Sequence, residues 1–201
     1  MEGRYAMKNE EISMQTKKEL AAALKKAMEK KPLSKVTVSE LVKDCNINRN
    51  TFYYHFSDIY DLLKWMFEQE AIEVVKKIDL LVDADEAIHF VADYVEENCH
   101  IINCTYDSLG REETKRFFYS DFIGVMQNAI ESGMCQAEIS VDNDFKNRLI
   151  AFYTGALAES MLDYVKNPEY CKENFLQDTL FICQKSIPDL LKKRAEMEMG
   201  N

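Results

Sequence analysis

Four side chains within six residues, Arg49, Asn50, Tyr53 and Tyr54, carry the groups that hydrogen-bond to nucleic acid. A guanidinium can bond guanine through two parallel contacts, a carboxamide can do the same with adenine, and phenol hydroxyls reach phosphates or base edges. Thr37 and Asn48 nearby are short polar residues of the kind that cap helices. Other chemistry-bearing residues are scattered. His89, Cys99, His100 and Cys104 include one pair four apart on an expected helix, but their spacing matches neither CxxC nor HExxH, so no metal site is expected. A redox-sensing role for Cys99 or Cys104 is a weaker alternative. No Gly-rich phosphate loop, nucleophile elbow or paired-acid motif is visible, so neither catalytic residues nor a cofactor is expected, and nothing favours an enzyme. The six cysteines follow no framework and the N-terminal residues hold no secretory apolar segment; reduced thiols in the cytoplasm are the simpler expectation.

The elements that position the polar four can be read from caps and spacing. Thr37 and Glu40 have capping-box spacing, which starts a helix near Val38; that helix runs out at Asn46, a residue tolerant of the left-handed conformation. After a short polar turn, Asn48 is a plausible N-cap for a second helix from Arg49 to about Phe56. Phe52 and Phe56 lie four apart and share its core face, which leaves Arg49, Asn50, Tyr53 and Tyr54 on the opposite one. Upstream, Thr16 and Glu19 repeat the capping-box spacing ahead of a helix from about Lys17 to Lys31, ended by Pro32. Residues 1–11 show no periodicity and are expected to be a disordered tail or cloning remnant, with Met7 an alternative start. These elements divide the chain into a helical head over 12–57 and a helical body over 58–201, which the family resemblance given next implies to be a DNA-binding unit and a regulatory and dimerisation unit.

The hexapeptide Thr51-Phe52-Tyr53-Tyr54-His55-Phe56, with its upstream helix, resembles the DNA-binding domain of the TetR family of bacterial transcription regulators, whose pattern is close to T-[LF]-Y-x-H-F. The resemblance covers about Ile12 to Phe67. It implies that the helix holding Arg49 to Phe56 lies in the major groove, with Arg49, Asn50 and Tyr53 facing bases. Asn48 opens that helix, and Thr51, Tyr54, His55 and Thr37 would hold phosphates. There are departures. Asn46-Ile47-Asn48 stands where the family often has Gly-Val-Ser, Asn50 replaces a small residue, and Ile59 stands where most members carry a lysine.

Net charge of −10 disfavours a nucleic-acid partner only on average. Residues 1–67 hold 12 basic and 9 acidic side chains, whereas 68–201 hold 13 and 26. The motif region, 35–67, is neutral, and most positive charge lies upstream, from Lys8 to Lys35. Specific, salt-sensitive binding with little non-specific affinity is expected.

The body reads as all-α, with a long connecting helix from Asp58 through Leu81 and further helices over Asp85–Thr105, Glu112–Ser132, Asp142–Lys166 and Glu169–Lys185. Gly133, Pro168 and Pro188 punctuate it. Phe152, Tyr153, Ala156, Leu157, Ser160, Met161 and Tyr164 fall on a wide stripe of the fourth of these, around a mid-helix Gly155 that costs about 1 kcal/mol relative to alanine. From the stripe alone, core packing and a partner helix are equally good explanations. TetR-like regulators dimerise through two C-terminal helices, and the resemblance therefore implies that this stripe, with Leu176, Thr179, Leu180 and Cys183, forms a homodimer interface and that the operator is palindromic. TetR-like bodies usually enclose an effector pocket, for which Phe90, Tyr94, Phe118 and Phe122 are candidates; the same aromatics also suit a helical core. The short acidic body, with its Phe152-Tyr153-x-Gly-Ala-Leu-Ala-Glu-Ser helix, is similar to a subgroup that includes activators of dihydroxyacetone-kinase operons, in which the body docks a separate ligand-sensing protein. A small-molecule receptor and a protein-docking module therefore both stand. Repression is the commoner sign for the architecture. A helical adaptor that never touches DNA is the alternative for the whole chain. No membrane partner is expected.

Overall fold

The computed structural model describes residues 2–78, 80–81, 83–166 and 173–199, and among them every regular element is helical. The head comprises α1 (Glu2–Met28), α2 (Val38–Asp44), α3 (Arg49–His55) and the first part of α4 (Ile59–Phe67). Each short helix has a cap. The Thr37 hydroxyl accepts from Glu40 N, Asn48 Oδ1 from Thr51 N and Asp58 Oδ1 from Asp61 N. The Glu40 carboxylate, expected to close a capping box, is turned to Lys31 at 2.5 Å. After α2, Asn46 takes φ 54°, and the amides of Asn46 and Ile47 bond back to Lys43 O and Val42 O, a Schellman ending that aims the chain into α3. Leu20, Leu24 and Met28 of α1 are fully buried with Leu41, Phe52, Leu62 and Leu63, so α1 forms the floor on which the α2–α3 pair sits.

Two expectations for α1 are corrected. Residues 2–11 continue the helix instead of forming a tail, because they are rich in Glu, Arg, Ala, Met and Lys, which propagate helix well. Thr16 is consequently mid-helix, and its hydroxyl donates to the Ile12 carbonyl instead of capping.

The connecting helix is also shorter than expected. After Phe67 it widens into a π turn over Glu68–Ile72, then closes in a single turn, α5 (Glu73–Val75). The body is built from α6 (Ala84–Gln136), α7 (Asn143–Lys166) and α8 (Glu173–Met199). Gly110, at φ 78° and ψ 172°, breaks α6 into two arms, a conformation reserved for glycine, and the Thr114 hydroxyl takes up its carbonyl at 2.8 Å. Pro188 does not end α8. It lies inside the helix, where Ile187, Leu191 and Ala195 keep one face buried on either side of it. Asp142 accepts from Phe145 N at the start of α7 and holds Arg194 of α8 through two nitrogens, at 2.6 and 3.2 Å. The Phe145 amide and Arg194 keep its carboxyl down at about 2.

Candidate functional site

In α3 the apolar and polar faces separate as the spacing requires. Phe52 and Phe56 are buried and touch each other, with Phe56 also against Trp65 of α4. Arg49 and Asn50 are exposed, Tyr53 is 55% exposed and Tyr54 82%. Two large aromatic side chains thus stand in water side by side on a helix seven residues long, an exposed patch of the kind that marks an interaction surface. Arg49 reaches across to Ser39 Oγ at 2.5 Å, tying the start of α3 to the first turn of α2. Ser39 was not a sequence candidate; it lies two residues past the Thr37 cap, on the same polar edge. Asn48 spends its carbonyl oxygen on Thr51, whose amide and hydroxyl both donate to it. His55 is half-buried beside Tyr54 and Phe56, and burial, then Lys17, pushes its pKa below the ordinary histidine value. Ile59 packs against the core, which is a physical reason for an apolar residue there.

Less of the upstream positive charge faces outward than its position in the chain suggested. Lys25 pairs with Glu70, Lys26 with Asp44 and Lys31 with Glu40. Lys17 lies over the Phe56 and Trp65 rings, 5.7 Å from each centroid.

The body encloses an apolar cavity of about 60 Å³ between α4, the π turn, both arms of α6, and α7. All four expected residues, Phe90, Tyr94, Phe118 and Phe122, line it, joined by Phe67, Phe117, Ile102, Met161 and Val165. Phe67, Ile102, Met161 and Val165, not expected there, are apolar side chains that the sequence does not distinguish from core. Among the described residues, Asp121 is its one acidic wall residue. Buried to 6% exposure, with Ser120 Oγ 3.4 Å away, its carboxyl is pushed up to about 6, chiefly by desolvation. A second cavity of about 50 Å³ shares the wall of Val75, Val91, Phe122 and Met161 and extends to Leu176 and Leu180 of α8.

A polar chain joins the cavity wall to the head. The Tyr94 hydroxyl donates to Glu70 at 3.1 Å, Glu70 pairs with Lys25 of α1 at 2.5 Å, and Lys25 also donates to Asn98. Burial and Glu70 raise the Tyr94 pKa far above the ordinary phenol value. His100 Nε2 lies 3.0 Å from the Met28 carbonyl at the end of α1 and 3.6 Å from Cys104 Sγ. Among the described residues no group of three or more His, Cys, Asp or Glu could hold a metal ion. Burial raises the pKa of Cys104, and that of Cys183 to about 11.

The residues expected at a dimer interface divide. Tyr153, Met161, Tyr164, Leu176, Leu180 and Cys183 are buried within the single chain, and Leu157 and Thr179, half-buried, line the second cavity. One wide stripe thus serves α6 on one side and water on the other. Ser160 is half-buried, whereas Phe152 and Ala156 face outward, and on α8 so do Phe181 and Ile182. A Cβ added to Gly155 would meet nothing within 4 Å, so among the described residues no other helix approaches it closely.

The family model described as bacterial regulatory proteins, tetR family, matches residues 20–66, and that described as transcriptional regulator C-terminal region matches 83–178, together well over half of the chain. The HTH-type dhaKLM operon transcriptional activator DhaS of Lactococcus lactis subsp. lactis (strain IL1403) is 28% identical over 90 residues, 45% of this chain. The chain spans about half, 48%, of that relative's length. A solved structure of a dihydroxyacetone kinase operon activator DhaS has a similar fold, with a TM-score of 0.63 at 17% identity, covering 90% of this chain and 98% of that one.

Proposed function

The chain belongs to the tetR family of bacterial regulatory proteins, DNA-binding transcription regulators and not enzymes, and from that premise we propose that it reads a palindromic operator as a homodimer under the control of a small molecule. The exposed polar face of α3, backed by buried Phe52 and Phe56, carries the DNA part of the proposal. Arg49, Asn50 and Tyr53 contact base edges; Tyr54, Thr51, His55 and the first turn of α2, with Thr37 and Ser39, take phosphates. Arg49 leaves Ser39 or shares it when it meets a base. Asn48 supports the helix through its cap and contributes to DNA only through its remaining amide donors. Because three of the upstream lysines are paired, each half-site neutralises few phosphates, and two half-sites are needed for useful affinity.

Dimerisation is proposed through the outward face of α7 and α8, around Phe152, Gly155, Ala156, Phe181 and Ile182. The open space over Gly155 and the exposed aromatic rings support this surface. The aromatic side chains that converge on the cavity support a small-molecule receptor; at about 60 Å³, against the roughly 300–1,000 Å³ of usual ligand pockets, the cavity admits a ligand only as its walls move apart. The relatives with printed functions are activators, so they lend nothing to repression, and the sign follows the position of the operator at its promoter.

The test is an electrophoretic shift with the chain's own upstream region. A palindrome should shift at low salt, and Arg49→Ala with Tyr53→Ala should abolish the shift at unchanged helical signal. Equal affinity for scrambled DNA would refute specific reading and favour the adaptor alternative.

A further inference from the structure

We infer that Ser39, in the first turn of α2, is a positioning residue for base reading: its hydroxyl oxygen holds the Arg49 guanidinium of α3 in place for a base edge, and its proton is left for a phosphate. The inference rests on the reading of α3 as the DNA-facing helix and names what fixes its specificity. Arg49 Nη2 donates to Ser39 Oγ at 2.5 Å, from the first residue of α3 to the second of α2. Both ends of this tether are themselves fixed. The Thr37 hydroxyl caps α2 and Asn48 caps α3, and the turn between them is closed by the bonds from Asn46 and Ile47 back to Lys43 and Val42.

The tether occupies little of either group. A guanidinium has several N–H donors and a hydroxyl has two lone pairs and a proton. With one N–H on one lone pair, Arg49 keeps a parallel pair of donors for guanine O6 and N7, and Ser39 keeps its proton. Among the described residues that proton has no acceptor, and Arg49 has no carboxylate partner. The cations nearby are used otherwise: Lys26 is paired with Asp44, and Lys31 with Glu40, the acid next to Ser39 in sequence. Arg49 is thus held by a neutral group and brings its whole charge to DNA. Both residues are exposed, so without the tether this long side chain would sample many rotamers. An untethered arginine must be ordered when it meets the right base and can swing to a phosphate when it meets a wrong one. The tether removes both options, so its effect falls on discrimination at one base pair.

The experiment is fluorescence anisotropy of the full chain with the palindrome from its own upstream region, and with a set in which each base pair is changed symmetrically in both half-sites. Arg49→Ala identifies the base pair that Arg49 reads, as the one whose change weakens the parent but not the variant. At that base pair Ser39→Ala should reduce the parent's discrimination about three- to tenfold, the effect of ordering one long side chain. Discrimination at the other base pairs should stay within about twofold. Ser39→Thr, which keeps the hydroxyl, should restore the parent's profile. Both substitutions lie at an exposed position and leave the Thr37 cap in place. A uniform loss in Ser39→Ala with an unchanged profile would make Ser39 a phosphate contact alone and overturn the inference. An unaltered profile and affinity, or failure of Ser39→Thr to restore it, would do the same. If Arg49→Ala keeps the parent's whole profile, the inference falls and specific reading by α3 stands. If the parent itself prefers no palindrome over scrambled DNA, both fall.

Discussion

Replacing Asp121 by asparagine should stabilise the protein, and only above the pH at which the buried acid ionises. Burial raises this carboxyl from an ordinary 3.8 to about 6. A raised acid favours the folded chain in its protonated form, so its contribution is complete below about pH 3.8 and is lost as pH rises through about 6. The shift of roughly two units corresponds to about 3 kcal/mol of penalty at pH 7.5. Asparagine keeps the shape and can still accept from Ser120, but cannot ionise. Asp121→Asn should therefore be more stable than the parent by about 2–3 kcal/mol at pH 7.5, or roughly 5–10 °C in melting temperature for a chain of this size. At pH 4 the two should agree within about 0.5 kcal/mol. The Asp142–Arg194 clamp, whose carboxyl is held at about 2, weakens at lower pH but does so equally in both chains. Urea midpoints at pH 4, 5, 6 and 7.5 give the comparison. A constant offset at all four values, or a less stable variant at pH 7.5, would refute the reasoning.

Other expectations concern separate parts of the fold. Phe152→Glu combined with Ile182→Glu should convert a dimer to a folded monomer by light scattering; a dimer that survives would place the interface elsewhere. Gly110→Ala forces a side chain into a backbone region reserved for glycine without creating a clash, so it should cost about 1–3 kcal/mol by chemical denaturation. Tyr94→Phe removes one hydrogen bond to Glu70 and should cost about 1 kcal/mol, while Glu70→Gln should loosen α1 against α6, measurable as faster amide exchange near Lys25. Unchanged exchange there would deny Glu70 a role in holding the head to the body.

Much of the head was legible because its signals are local. Thr37, Asn46 and Asn48 each act on amides or carbonyls within a few residues, and Phe52 and Phe56 define the faces of α3 by spacing alone. The full cap at Thr16 failed as a boundary because nothing stops the residues before it from being helical; a capping motif permits a start but does not enforce one. In the body, Phe90, Tyr94, Phe118 and Phe122 were recognisable as a group, since aromatics on one arm of a helix or another converge wherever that helix is buried. Asp121, Glu70 and Lys25 were not. Their importance depends on which helices meet, and Lys25 and Glu70 are 45 positions apart. The interface residues illustrate the same limit: periodicity identifies an apolar stripe on α7, but which edge of it is covered by α6 and which by water is a property of the assembled bundle.

That dependence on assembly explains why the π turn is the most consequential segment between the two units. A π turn holds an extra residue, and it usually persists only where something else in the fold compensates its weaker geometry. Here Ala71 and Ile72 line the cavity while Glu70, in the same turn, grips Lys25 of α1 and accepts from Tyr94. A regular helix turns 100° per residue, so regularising the segment would rotate Glu70 away from either Lys25 or the cavity side. On the receptor reading, a molecule that swells the cavity pushes on Ala71 and Ile72, and the displacement reaches Glu70, the residue before them. Lys25 then moves relative to Asn98, and α1, the floor beneath α2 and α3, shifts with it. The spacing of the two α3 helices in a dimer would change without any contact between ligand and head, which is the differential interaction that control of operator affinity requires.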